Sequence, residues 1–412
     1  MAITWTKPGL GAHSRGRFDL RKSLACAWMC WSVVGFSISV FPAAAGEPRA
    51  PQAASYENDR KPEVPWSINI IRIPRQPGAF EIRTAHAQNG ALGLATLSQQ
   101  ILGQKTAKGT PIAAVNGDFY QRDGNYAGDP RGLQIIDGEL ISGPAATASF
   151  WIDADGQPHT TNTISQFRIT WPDGSAAPFG LNSIRTPGTI QVYTPAAGPS
   201  TRAAGGREVI LEGKPGEPWL PLKPGLTYKG RVREVREGGD SKIQPGTVVV
   251  SIGQVMVKKT PALAAGAEVI LSTETIPSLR GAVTAISGGP VLVQDGSIVR
   301  IRNTGDDSYR MSSMTERHPR TAVGWNDRTF FLVEVDGRQS NLSIGMTLAE
   351  LADYFKSLGC REAMNLDGGG SSTLWYGGRV RNHPCDGSER MIANSLIVYK
   401  MPSATTNAPV AR

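Results

Sequence analysis

Cysteine and histidine are scarce in this chain, with four and five copies in 412 residues. The C-x-x-C spacing of a redox or zinc site does not occur, and neither does the G-x-S-x-G elbow of a serine hydrolase. Aromatic residues make up 7%, and no basic stripe interleaves with them, so the usual footprint of a nucleic-acid binder is missing. Helical periodicity is sparse between residues 131 and 302, which excludes a helical bundle. Long apolar runs are also few, and the one that stands out lies near the N-terminus.

That run, Leu24 to Phe41, follows a basic stretch of Arg15, Arg17, Arg21 and Lys22 and precedes Ala43-Ala44-Ala45. This is the order of a cleavable secretory signal, so residues 1–45 are expected to be a signal peptide and the product to be periplasmic or extracellular. An uncleaved anchor is the alternative, and stable membrane insertion is not expected once the signal is cleaved. Loss of the five basic residues and one acid in this segment lowers the net charge from +8 to +4. A mildly basic mature chain tolerates an anionic substrate without calling for nucleic acid. Cys26 and Cys30 leave with the signal, and in an oxidising compartment the remaining Cys360 and Cys385 form a disulfide candidate. Residues 46–65 read as a flexible leader, 66–400 as a single domain and 401–412 as a disordered tail.

The rest is organised around Met364 to Thr373, in which an apolar strand runs into Asp367, then Gly368-Gly369-Gly370 and Ser371-Ser372-Thr373. Three glycines together suit a sharp bend or a close approach to a ligand, and successive amides in such a loop can cradle an anion. Upstream, Thr329 to Val335 is a buried-strand pattern that ends in Asp336-Gly337-Arg338. Between the two, Thr347 and Glu350 have capping-box spacing, apolar residues follow at helical intervals, and Gly359 is placed to end a helix. Strand, helix and strand predict a βαβ unit with parallel strands, whose C-terminal ends bring Asp336, Arg338 and Asp367 to one crevice.

Earlier, a short amphipathic helix over Leu94–Leu102 leads to the strand Pro111–Val115 and the turn Asn116-Gly117-Asp118. The polar loop Asp123–Asp129 could cover the crevice. The middle of the chain alternates short apolar runs with Gly, Pro, Asp and Asn, the pattern of successive hairpins. Ser287-Gly288-Gly289-Pro290 is a second glycine crossing, and Arg320 adjoins the strand Ala322–Trp325, placed to fork onto a phosphate or carboxylate. The expected fold is α+β or mixed α/β: a mixed β-sheet core with a C-terminal βαβ unit and a β-rich middle section.

In this order, Asn116-Gly117-Asp118-Phe119-Tyr120, Asn182 with Arg185, Ser287-Gly288-Gly289-Pro290, Arg320-Thr321-Ala322-Val323-Gly324, Asp336-Gly337-Arg338 and the Asp367 loop resemble the phosphodiester glycosidase family. The resemblance covers about residues 110–400, and at Asp118 the chain has an acid where a small residue is commoner. It implies hydrolysis of the bond between a sugar anomeric carbon and a phosphodiester oxygen, in a carbohydrate phosphodiester of an envelope or exopolysaccharide glycan. The implied catalytic residues are Asp367, Asp336 and Asp118. The implied substrate-binding residues are Asn116, Arg320, Arg338, Gly288, Gly289, Gly368, Gly369, Ser371 and Ser372, with the amides of Gly289, Gly368 and Gly369 gripping phosphate. No cofactor is required. Two other readings of the residues stay open: a phosphodiesterase that holds a divalent cation on Asp118, Asp336 and Asp367 and cuts P–O, and a polysaccharide-binding domain without turnover.

Overall fold

The computed structural model describes residues 53–87, 91–104, 109–216, 219–300 and 314–402, so the expected signal segment and most of the expected tail lie outside the described residues. Residues 50–412 form one compact unit. Its first sheet begins with β1 (Ser55–Lys61) and β2 (Trp66–Pro74), and a second sheet takes β3 (Phe80–His86). Helix α1 (Leu97–Leu102) and strand β4 (Thr110–Asn116) follow. The long β-rich middle returns through β5 (Thr284–Ser287) to β6 (Val291–Gln294), β7 (Arg320–Trp325) and β8 (Thr329–Val335). Helix α2 (Leu348–Ser357), β9 (Glu362–Asn365), β10 (Leu374–Tyr376) and β11 (Asn394–Lys400) complete the chain.

Seven strands make the first sheet, in the order β1, β2, β8, β7, β9, β6 and the short strand Ser297–Ile298. Both of its faces are covered. Ile68, Ile70, Val333 and Val335 face α2 through Leu351 and Phe355, while Ile71, Ile73, Leu332 and Met364 meet Val115, Leu374, Leu396 and Val398 of the second sheet. A strand buried on both sides reads as a continuous apolar run, which is why β8 is visible in sequence. The second sheet holds five strands, Arg379–Val380, β10, β4, β11 and β3.

The expected βαβ unit does not form as two neighbouring strands. β7 lies between β8 and β9 and is antiparallel to both, so the two run the same way without pairing. Helix α2 itself forms as its sequence predicts, with Thr347 as N-cap and a reciprocal capping box to Glu350. Residues 55–61, expected within a flexible leader, pair along their whole length with β2 as an edge strand. Their charged and polar side chains conceal that strand, because an edge needs no apolar face on its solvent side.

The middle section is β-rich as expected, forming an eight-stranded and a six-stranded sheet over a shared core that includes Leu133, Trp171, Val209, Val250 and Leu271. Its longest strand, Thr227–Gly239, alternates charged and apolar residues. Cys360 and Cys385 are free thiols, which corrects the expected disulfide. Cys360 packs in the core with Phe355 and Ala363, whereas Cys385 lies in a loop with its Sγ 3.6 Å from an Asp386 carboxylate oxygen. Among the described residues no helix is long and apolar enough to cross a membrane.

Candidate active site

The glycine loop is where the chain leaves the first sheet, at the end of β9, for the second, at the start of β10. Asn116, the last residue of β4, ties this crossing down. Its Nδ2 donates to the Asp367 carbonyl at 2.7 Å, and its Oδ1 accepts from Thr321 Oγ1 at 2.7 Å and from the Thr373 amide at 3.1 Å. The Asp367 amide donates to the Gly117 carbonyl at 2.9 Å. Asn116, expected among the substrate-binding residues, has its side chain engaged by the loop and by Thr321.

The expected phosphate cradle of backbone amides is also absent. The Gly368 amide donates to Asp367 Oδ1 at 2.9 Å. Those of Gly369, Gly289 and Gly288 donate to the carbonyls of Pro319, Asn365 and Ala148. Buried amides must be paired, and a crossing between sheets offers carbonyls at close range.

Anion-binding capacity comes from side chains. A cavity of about 370 Å3 opens over the loop, and Asp367, Arg122, Arg131, Arg320, Arg338 and Arg390 all line it, with Ser371 and Tyr120. Its volume is in the range of a small-ligand site. Arg338 enters it from the left-handed backbone conformation, φ +59°, with Nη2 3.3 Å from His318 Nδ1. Arg390 is aimed by Asp386, whose Oδ2 accepts from Nε at 3.0 Å and from Nη2 at 2.6 Å. Gly370 makes room for that pair, because a Cβ there would sit 1.8 Å from Arg390 Nη2.

Arg320 is buried, and its Nε and Nη2 donate to the carbonyls of Met346 and Glu316, each at 2.9 Å. The fork expected to clasp a ligand is thus partly committed to backbone. Burial and the nearby Arg338 lower its pKa to about 10, so it stays cationic at neutral pH.

Two carboxyls beside this cationic wall titrate unusually. Burial raises Asp367 to about 6, against the opposing effect of hydrogen bonds from Ser371 and Gly368 and of the charges on Arg390 and Arg122. Ser371 also bonds Tyr120, whose hydroxyl donates to the Met391 carbonyl at 2.8 Å. Asp118 is fully enclosed and accepts from the amides of Phe119 at 2.8 Å and Gly132 at 2.9 Å. Burial outweighs those bonds and, with the charge of Asp367, raises it to about 8. Asp118 does not line the cavity; it lies beneath the loop, coupled to Asp367 by charge.

Asp336 is not brought to the cavity either. Its buried carboxylate accepts from Ser67 Oγ at 2.9 Å, Asn69 Nδ2 at 3.2 Å and the His383 amide at 2.7 Å. Side chains alternate along a strand, so Asp336 shares the inner face of β8 with Leu332 and Glu334, while Arg338, beyond the strand's end and in the left-handed conformation, reaches the cavity wall. Ser372 is buried, its Oγ without a partner among the described residues. Asn182 donates to the Ile141 carbonyl and Thr194 Oγ1, and Arg185 to the carbonyls of Ala204 and Gly205, so both brace the middle section. Among the described residues no three His, Cys, Asp or Glu side chains are grouped to hold a metal ion.

Arg122, Arg131, Arg390, Tyr120 and His318 were not anticipated as lining residues. The first two flank the loop read as a possible cover. That loop is instead fastened to the middle section: the Tyr126 hydroxyl donates to the Thr201 carbonyl at 3.1 Å, and the Arg202 guanidinium stacks 4.7 Å from the Tyr126 ring centre.

Residues 226–399 match the family described as phosphodiester glycosidase. The chain is similar to N-acetylglucosamine-1-phosphodiester alpha-N-acetylglucosaminidase of Bos taurus, with 30% identity over 123 residues, 29% of this chain and 23% of that protein. It is also similar to the SPbeta prophage-derived uncharacterized protein YomE of Bacillus subtilis (strain 168), with 38% identity over 100 residues, 23% of this chain and 15% of that protein. The matches thus span less than a quarter of either relative. A hypothetical protein from Synechocystis shares the fold, with a TM-score of 0.67 at 21% identity over 86% of this chain and 64% of that one. The segment that matches the phosphodiester glycosidase family holds Arg320, Arg338, Asp367 and Arg390.

Proposed function

We propose that the protein is an exported glycosidase that hydrolyses the sugar C–O bond of a sugar-1-phosphodiester, of the N-acetylglucosamine type or a related envelope glycan. One observation carries the reading: among the described residues a single carboxylate, Asp367, faces a cavity whose other charged side chains are arginines. Cleavage at the anomeric carbon builds positive charge on the sugar and releases a phosphomonoester, already a good leaving group. A carboxylate is needed at the sugar and cations at the phosphate. The arrangement supplies both.

In this reading Arg320, Arg338 and Arg390 hold the scissile phosphodiester and stabilise the charge that gathers on the leaving oxygen. Asp367 takes a proton from the water that attacks the anomeric carbon. The water oxygen ends on the sugar, the C–O bond electrons leave with the phosphate, and the proton follows to solvent. A base that titrates near 6 is ionised at neutral pH yet basic enough for the task. Ser371 orients its carboxylate. Asp118 is a positioning residue: it holds the Phe119 and Gly132 amides and, protonated at neutral pH, adds no second negative charge beside Asp367. Asp336 keeps the backbone entering Arg338 in place.

The test is product analysis with an N-acetylglucosamine-1-phosphodiester, with and without chelator. The expected products are free sugar and a phosphomonoester, lost by about 10³-fold or more in Asp367→Asn with its thermal melt retained. Sugar-1-phosphate as product, or an active Asp367→Asn, overturns the assignment.

A further inference from the structure

Five arginines are more cation than one phosphodiester needs. A diester carries one negative charge, and Arg320, Arg338 and Arg390 already surround the space above Asp367. Arg122 and Arg131 remain. Both are exposed on the wall of the same cavity; Arg122 acts by charge on Asp367 and Arg131 on Asp118, and among the described residues neither closes into an ion pair. Two neighbouring arginines are paired, Arg317 with Glu350 and Arg390 with Asp386.

The position of the two rim arginines is built in. They flank the loop Asp123–Asp129, whose base is closed by the bridge between Tyr120 and Pro130. The Gln121 amide donates to the Asp129 carbonyl and the Arg131 amide to the Phe119 carbonyl, each at 2.9 Å. At the tip, Tyr126 is clamped by Thr201 and Arg202, and Arg202 Nη2 lies 3.3 Å from the buried Asp129 carboxylate. Two like charges held on a fixed rim repel each other unless an anion lies between or beside them, and a surface that merely needed solubility would not fasten them.

Resting on the reading of the cavity as a phosphodiester site, we infer that the substrate's aglycone carries a second acidic group, a phosphate or its equivalent, which Arg122 and Arg131 bind beyond the scissile diester. This makes the pair a specificity determinant. The shared chemistry is a polyanion, either a nucleotide-like leaving group or a glycan with repeated phosphodiesters.

The probes are two matched substrates: N-acetylglucosamine α-1-phosphate esterified with ethanol, and the same compound esterified with 2-phosphoethanol. The wild-type protein is expected to favour the second by about 5- to 10-fold in kcat/KM at low salt, as two exposed charge contacts imply, and to lose part of the preference at high salt. In the double variant Arg122→Ala/Arg131→Ala the ratio falls towards 1, while Arg122→Lys/Arg131→Lys keeps much of it. A wild-type ratio of 1 or less, or a preference unchanged in the alanine variant, overturns the inference. If neither probe is cleaved, the proposed reaction fails instead, and calorimetric binding of the same two probes to both proteins still decides the role of the rim. Should the preference hold, a two-repeat sugar-phosphate polymer and a nucleoside diphosphate sugar, compared in the same assay, separate the two sources of the second charge.

Discussion

Asp367 is subject to opposing influences. Enclosure at the floor of the cavity favours its neutral form, while Ser371, the Gly368 amide, Arg390 and Arg122 favour the carboxylate, and enclosure prevails to leave it near 6. If it acts as the base, kcat/KM rises as pH passes through about 6, and an inner-limb shift follows removal of Ser371. In Ser371→Ala the limb moves upward, because a hydrogen bond that favours the charged form is gone; pH-rate profiles of the two proteins check this. Asp118 allows a separate prediction about stability. Its folded pKa, about 8, lies above the ordinary 3.8, so its contribution is fully present below about pH 4 and is lost as pH rises towards 8. Asp367 contributes with the same sign only up to about 6. Between pH 6 and 8 Asp118 contributes to the decline in melting temperature alongside buried Glu334, whose pKa is also raised well above its ordinary value by burial, and Asp118→Asn is expected to make the slope shallower. A slope equal to the wild type's would show that burial does not dominate there.

Elements differ in how openly the sequence announces them. The glycine loop and α2 were legible because each rests on local chemistry: three glycines after an aspartate, and a Thr347/Glu350 capping box that the fold reproduces. Thr347→Ala should cost about 1 kcal/mol in chemical denaturation. What the loop's amides would do was not legible. Whether an N–H meets a ligand or a protein oxygen depends on what the fold places opposite, and here the Gly369 amide meets the Pro319 carbonyl and the Gly368 amide the Asp367 side chain. Asp336 misled for a similar reason, since a strand-end aspartate reads the same whether it faces a crevice or, as here, Ser67 and Asn69. Arg390 escaped notice because an Asp386-to-Arg390 spacing in a polar loop resembles an ordinary solvated pair. Its dependence on Gly370 is testable: in Gly370→Ala the new methyl would overlap the guanidinium end, which can swing away. The expected outcome is a KM raised several-fold with the melt little changed, whereas an unaltered KM would remove Arg390 from the substrate.

At the scale of the whole molecule, two β-layers meet at a crossing loop, and a β-rich middle section fastens the rim of the cavity from outside. The segment that matches the family and the rim come from different parts of the chain: the match covers 226–399, while Asn116, Asp118, Arg122 and Arg131 lie before it. The free state of Cys360 and Cys385 predicts that a reductant leaves the melting temperature unchanged, and a fall of several degrees would point to a bridge. The central claim is the bond that breaks. Turnover of a sugar-1-phosphodiester in oxygen-18 water, read by mass spectrometry, tests it most directly: the account predicts the label on the sugar hydroxyl, and label on the phosphate would contradict it.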